Sequence, residues 1–245
     1  MSQWIHGMYA VLEALRVSPE KVRRVVAVTG RADARLGQVI EAARIGRVPV
    51  LRQPLRSVER LAGTGAVHQG VVALMAEAGY ADAEEVLERA GTPALLVVLD
   101  GVEDPHNLGA VIRSAAAFGA GGVFLPAHRA AGLSPGSLKA SAGTALRFPV
   151  ARVGNVVAFL DRLKERGIWV VGLDQGGQPI WDGFDLRQPI ALVLGAEGKG
   201  LRRLAREHCD AILGIPVGPG TESLNLSVAA GVALFEAVRQ RRSAG

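Results

Sequence analysis

Leu95-Leu-Val-Val-Leu-Asp100-Gly-Val-Glu-Asp-Pro105-His-Asn107-Leu-Gly-Ala-Val-Ile-Arg113 holds one full strand–loop–helix unit. The five apolar residues Leu95–Leu99 are far fewer than the roughly 20 a membrane span needs, and they read as a strand buried on both faces. A polar loop follows, and Pro105 and Asn107 open a helix that carries Arg113 on its second turn. Further β-rich runs lie at Val123 to Leu125, Ile168 to Leu173, Ile190 to Leu194 and Ala211 to Ile215, with helical segments after most of them. That alternation predicts a mostly parallel sheet covered on both faces. A last helix is expected from about Leu224 to Arg241, with Leu224, Val228, Val232, Phe235 and Val238 on one face that docks on the sheet or on a second subunit.

Toward the amino terminus the pattern is on a smaller scale. His6 to Arg16 has helical spacing, and Val25 to Val28, Ala34 to Gly46, Val48 to Leu51 and Val67 to Met75 continue as a small α/β module. Between Ala76 and Pro93 come Asp82, Glu84, Glu85 and Glu88, then the breaker Gly91-Thr92-Pro93, which reads as a linker with a short helix. The expected organisation is a module over residues 1–75, a linker over 76–93 and a larger domain over 94–245.

Charge is distributed unevenly across this boundary. Residues 1–80 hold 11 Lys and Arg against 6 Asp and Glu, and the remainder holds 17 of each, so the whole formal charge of +5 belongs to the first third. A polyanion-binding module carries such an excess, and so does an ordinary solvated surface. The 49% apolar content excludes disorder as the main state. A single cysteine, Cys209, allows no internal disulfide and no cysteine metal cage. The start, Met-Ser-Gln-Trp-Ile-His, lacks a basic then apolar leader. The expectation is a soluble cytoplasmic protein, with no membrane and no metal.

In open α/β sheets ligands bind beyond the carboxyl ends of the strands. No Walker A loop and no G-x-G-x-x-G after the first strand of the larger domain is present. Gly132-Leu-Ser-Pro-Gly136 matches the nucleophile-elbow letters, but Ala130-Ala131 is no strand before it and Pro135 interrupts it. His208-Cys209 reads as a helix terminus. Three loops remain: Asp100 to Arg113; Leu194-Gly-Ala-Glu-Gly-Lys-Gly200; and Ile215-Pro-Val-Gly-Pro-Gly-Thr-Glu-Ser-Leu-Asn-Leu-Ser227. Asn107 alone fits a helix N-cap and Arg113 alone a surface charge. Capping explains one of Ser223, Asn225 and Ser227, not three. Two of the three Asn residues in the chain lie in these loops, which weakens the capping explanation.

Together the loops resemble the motif set of the SPOUT superfamily, specifically the TrmH-type RNA 2′-O-methyltransferases. Asn107 and Arg113 match the first motif, Gly195-Ala-Glu197-Gly the second, and Ser223-Leu-Asn225-Leu-Ser227 the third. In the first module, Ile5-His-Gly-Met-Tyr-Ala-Val-Leu-Glu-Ala-Leu and Ala66-Val-His-Gln-Gly70 resemble the bacterial RlmB branch, which methylates a guanosine in the peptidyl-transferase loop of large-subunit (23S) ribosomal RNA.

The resemblance implies a catalytic domain with a carboxy-terminal trefoil knot, S-adenosylmethionine bound in the knot, a homodimer whose site is completed across the interface, and an L30e-like RNA-binding module over 1–75. It assigns the hydroxyl chemistry to Arg113, as a base or as an electrostatic stabiliser of the forming alkoxide. Asn107 would position Arg113 or the ribose, Glu197 would support the site, and Ser223 and Asn225 would order the reacting groups. The backbones of Gly195, Ile215 and Leu224, joined by Ser227, would contact the cofactor. The other readings on this scaffold are a transfer-RNA ribose 2′-O-methyltransferase and a non-catalytic RNA-binding or ribosome-assembly protein.

Overall fold

The structure is a computed structural model that describes residues 3–31, 33–76, 79–181 and 184–242. It divides into two compact units, Met1–Gly79 with Leu133–Arg147, and Tyr80–Gly132 with Phe148–Gly245.

The first unit runs β1 (Gln3–His6), α1 (Met8–Val17), β2 (Val22–Val28), α2 (Ala34–Ile45), β3 (Val50–Gln53), α3 (Leu55–Ala62) and β4 (Val71–Met75). Its sheet order is β1-β4-β2-β3, with β4 antiparallel to both neighbours and β2 parallel to β3. Val26, Val28, Val58 and Val72 form a core cluster under α3. The helix expected from His6 begins two residues later, because Gly7 at φ +93° turns the chain out of β1. Gly7 has no side chain to cap α1, and the Gln69 amide oxygen accepts the Met8 N–H at 3.0 Å instead.

The chain continues through α4 (Ala83–Glu88), β5 (Leu95–Leu99), α5 (Pro105–Ala117), β6 (Gly122–Pro126), α6 (Pro135–Ala140), β7 (Val150–Val153), α7 (Val156–Glu165), β8 (Trp169–Pro179), β9 (Ile190–Leu194), α8 (Arg203–Glu207), β10 (Ala211–Gly214) and α9 (Leu226–Arg242). Of these, α6 belongs to the first unit. The second unit's sheet has the order β10-β8-β9-β5-β6-β7, and every pairing is parallel, as the strand–helix alternation requires.

Two segments sit elsewhere than the sequence suggests. The stretch read as linker contributes α4, whose Val86 and Leu87 are buried in the second unit's core; Gly122 leaves room for them, since a Cβ there would lie 2.4 Å from Val86 Cγ1. The stretch 133–147 leaves the second unit between β6 and β7 and packs with the first, burying Leu138, Ala145 and Leu146 there.

Helix α9 does not lay its bulky face on the sheet, one of the two expectations for it. It contacts α5 and β9, and Ala230, Ala233, Leu234 and Ala237 are fully buried. Small residues let neighbouring elements approach closely, so this face is the inner one although its side chains are the less bulky. Val228, Val232 and Phe235, the face expected to dock, are 37–55% exposed. The far end of α9 is fixed by Arg241, which donates to the carbonyls of Pro93, Ala94, Leu186 and Gln188 at 2.8–3.2 Å. Among the described residues no helix is long and apolar enough to cross a membrane.

Candidate active site

The three motif loops follow β5, β9 and β10, and β5, β9, β8 and β10 are successive neighbours in the sheet, so the loops emerge at one edge of carboxyl ends. Asp104, not Asn107, caps α5, accepting from the His106 N–H at 2.8 Å, with Pro105 in the first helical position. That removes the capping explanation for Asn107, which is buried at 8% exposure with its amide free for other partners.

Those partners come from the other two loops. Asn107 Nδ2 donates to Glu197 Oε1 and, at 3.3 Å, to Asp104 Oδ2. Asn225 Nδ2 donates to Asn107 Oδ1 at 3.1 Å and to Glu197 Oε1 at 3.2 Å. Each amide nitrogen carries two donors, so both are fully committed. Asn225 Oδ1 accepts from Ser227 Oγ at 2.6 Å and from the Ser227 and Val228 N–H groups at 2.9 and 3.4 Å, starting α9. Asn225 is therefore both a cap and the tie between three loops. Asp104 is the member of this network that sequence reading missed; its place three residues before Asn107 and one before Pro105 was the available signal.

Beside the network is a cavity of about 340 Å³. Gly195, Ile215 and Leu224, the three backbone positions expected to hold a cofactor, all line it, together with Glu197 and Ser223. Leu173, Leu194, Leu213 and Leu226 supply apolar wall, and Asp174, Gln175 and Glu222 add polar groups absent from the expectation. The floor requires glycine: a Cβ on Gly195 would lie 1.9 Å from the Gly200 oxygen. Ala196 and Gly200 exchange backbone hydrogen bonds of 3.0 and 2.9 Å, closing a tight loop with Gly198 and Gly200 at positive φ. Ser227 is not among the lining residues; its contacts are to Asn225.

Arg113 is not brought into the network. It is exposed on α5 and contacts no partner among the described residues. Six residues beyond Asn107, it projects from a different side of the helix. At the end of β5, Asp100 is buried with one oxygen 3.4 Å from Arg202 Nη1 and the other without a partner among the described residues.

The discarded motifs have structural roles. Ser134 caps α6 in a reciprocal pair with Ser137. His208 caps the end of α8 and pairs with Asp161 at 2.8 Å. Burial, with Asp210 nearby, pushes the Cys209 thiol up to about 12, which keeps it protonated and unreactive. No cluster of metal-ligating side chains occurs among the described residues.

Comparison with known proteins covers both units. Residues 94–235 match the model of the SpoU rRNA Methylase family, and residues 4–81 match that of RNA 2′-O ribose methyltransferase substrate binding. The chain is 44% identical over 242 residues to the 23S rRNA (guanosine-2′-O-)-methyltransferase RlmB of Pseudomonas putida, covering 97% of this chain and 96% of that one. It is also 44% identical to an uncharacterized tRNA/rRNA methyltransferase of Mycolicibacterium vanbaalenii, covering 97% and 76%. Among solved structures, the SpoU methyltransferase AviRb from Streptomyces viridochromogenes in complex with the cofactor AdoMet is similar with a TM-score of 0.79 and 28% identity, over 99% of this chain and 91% of that one.

Proposed function

The chain belongs to the SpoU rRNA Methylase family, and from that premise we propose that it methylates the ribose 2′-hydroxyl of a guanosine in the peptidyl-transferase loop of 23S ribosomal RNA, with S-adenosylmethionine as methyl donor. The observation that carries this reading is the convergence of the three motif loops on one polar network and one cavity. The near-complete coverage of an RlmB relative across both units favours the ribosomal target over a transfer RNA and over an inert scaffold.

The cavity suits the cofactor. Its leucine walls fit an adenine ring, exposed backbone in the glycine loops offers hydrogen bonds, and the Gly195 floor lets the chain approach a ligand closely. Bound there, the cofactor supplies a methyl group activated by a sulfonium. Gly195, Ile215 and Leu224 would hold it, and Glu197 and Ser223 face the same space. The network of Asn107, Glu197 and Asn225 keeps the loops from separating, and Asp104 anchors it to α5. Ser227 acts through Asn225.

Arg113 would meet the ribose. Guanidinium keeps its proton in proteins, so its role is to stabilise negative charge developing on the 2′-oxygen as the C–O bond forms, while the hydroxyl proton leaves to another acceptor. Its distance from the network in one chain fits a site completed by a second copy. The exposed stripe Val228, Val232 and Phe235, with Phe235 edge-on to Phe118 at 6.2 Å, offers the dimer surface on the helix that packs against α5. The trefoil knot belongs to the same proposal.

The test is methyl transfer to 23S RNA from a strain lacking the modification, with the product ribose mapped and cofactor binding measured by calorimetry. One labelled guanosine in the peptidyl-transferase loop is the expected outcome. Absence of S-adenosylmethionine binding sinks the whole reading; label on transfer RNA alone sinks the target.

A further inference from the structure

The first unit contains a second cavity, of about 240 Å³, far in sequence from the three motif loops, lined by β1, the start of α1, the segment before β4, and α6 with the turn after it. Within it are a flat ring, a donor, an acceptor and a cation. Tyr9 lines the cavity while remaining 71% exposed, so its ring stands at the rim. Gln69 uses its oxygen to accept the Met8 N–H, which leaves its Nε2 donor without a partner among the described residues. Glu13 brings a carboxylate and Lys139 an ammonium. His6 also lines the cavity, with its Nδ1 buried and unpartnered.

Gln69 is held there at a cost. Its φ of +50° lies in the left-handed region that a non-glycine residue rarely adopts, and such strain concentrates at functional positions. Arg31 Nη1 donates to its carbonyl at 2.8 Å and helps fix the bend.

We infer that this cavity receives one unstacked base of the RNA, and that guanine matches it best. Single-stranded RNA is read by stacking splayed bases on aromatic rings and bonding their edges. Tyr9 is the stacking surface. A guanine edge presents two adjacent donors, N1–H and N2–H, beside the O6 acceptor, which the two Glu13 carboxylate oxygens and the Gln69 amide N–H complement; adenine offers a single amino donor beside the N1 acceptor, so one carboxylate oxygen would go unmatched. A polyanion is the fitting owner of the base, because this unit carries 13 Lys and Arg against 6 Asp and Glu, and Lys139 lies in the lining itself. The inference rests on the reading that the chain binds RNA, but not on turnover.

The experiment measures binding of the full-length protein, by fluorescence anisotropy, to RNA stem–loops that differ at one unpaired loop position: guanosine, adenosine or an abasic site. The guanosine RNA binds tightest, and the abasic one about 10-fold more weakly. Tyr9→Ala weakens the guanosine complex by a similar factor and leaves the abasic complex unchanged. Glu13→Gln levels guanosine and adenosine. Calorimetric binding of S-adenosylmethionine is the same in all three proteins, which certifies the second unit, and undiminished binding of the abasic RNA certifies the first. Equal affinity of the wild type for guanosine and abasic loops overturns the inference and hands the cavity to an apolar side chain of a protein partner. Failure of methyl transfer with the base preference intact would sink the enzymatic reading and leave this one standing.

Discussion

The first unit and the second hold their charge in different ways. The first carries 13 basic against 6 acidic side chains and the second 15 against 17. In the second, arginines are tied to carboxylates within the fold: Arg162 and Arg166 to Glu84, Arg206 to Asp174, Arg203 to Glu207, Arg239 to Glu236. In the first, the ion pairs among the described residues are Arg31–Asp33 and Arg44–Glu41, and most of the cations face solvent uncommitted. The positive charge of one unit is therefore available to a polyanion, while that of the other positions helices. Arg113 is among the second-unit cations left exposed without an ion pair among the described residues, with Arg89, Arg129, Lys199 and Arg242, and it is the one carried on α5, the helix that also bears Asn107.

The sharpest attempt to break this contrast is Arg113→Ala. Methyl transfer should fall about 10²- to 10³-fold in kcat, with thermal stability and cofactor affinity unchanged, because the side chain holds nothing in the fold. A loss confined to KM would make it another RNA-capture cation. Next, Arg56→Ala with Arg60→Ala on α3 should weaken RNA binding about 10-fold at low salt and lower the logarithmic salt slope by roughly 1.5. Arg187→Ala with Arg203→Ala, paired cations of the second unit, should leave both readouts in place. Equal losses from the two double variants would dissolve the distinction.

Arg241→Ala should lower stability by about 2–3 kcal/mol in urea titration, since it strips a charged donor from several carbonyls at once. The smallest effect is a pH dependence. Arg239 holds the Glu236 carboxyl below its ordinary range, so its contribution is fully present above the unfolded carboxylate value and is lost as pH falls through the lower folded one. Glu236→Gln should flatten the acid limb of the stability curve slightly, its small loss of stability appearing at neutral pH and vanishing in acid.

Deleting residues 1–75 would be the obvious way to test the division of labour. The structure makes it a poor one, because it would uncover Leu138, Ala145 and Leu146, which are buried against the first unit. Substitutions of exposed charge ask the same question without that damage.

Strands β5 and β9 were legible to the residue, because a strand buried on both faces is a continuous apolar run between polar loops. Helix α3 was not: Leu55, Val58, Leu61 and Ala62 recur at helical spacing, but over only eight residues and with no capping side chain to mark the start. Strand β7, four residues with Arg152 pointing out, gave too short a run. The face of α9 turned into the fold did not stand out, because Ala230, Ala233 and Ala237 bury little area and mark a stripe weakly, while the bulkier Val228, Val232 and Phe235 stay exposed. The motif loops stood out by their odd composition. The contribution of Asp174 and Gln175 to the cavity did not, since β8 continues through them to Pro179 where apolar character ends at Leu173.

The reach of Arg241 back to Pro93, across 148 residues, also sets an order of events. At ribosomal speeds of about 5–20 residues per second, roughly 7–30 s separate the emergence of these two partners. The first unit has all its pieces once Arg147 is made. A nascent chain would thus carry a finished basic module while the cofactor cavity still lacked β8, β9, β10 and the helix that fastens them.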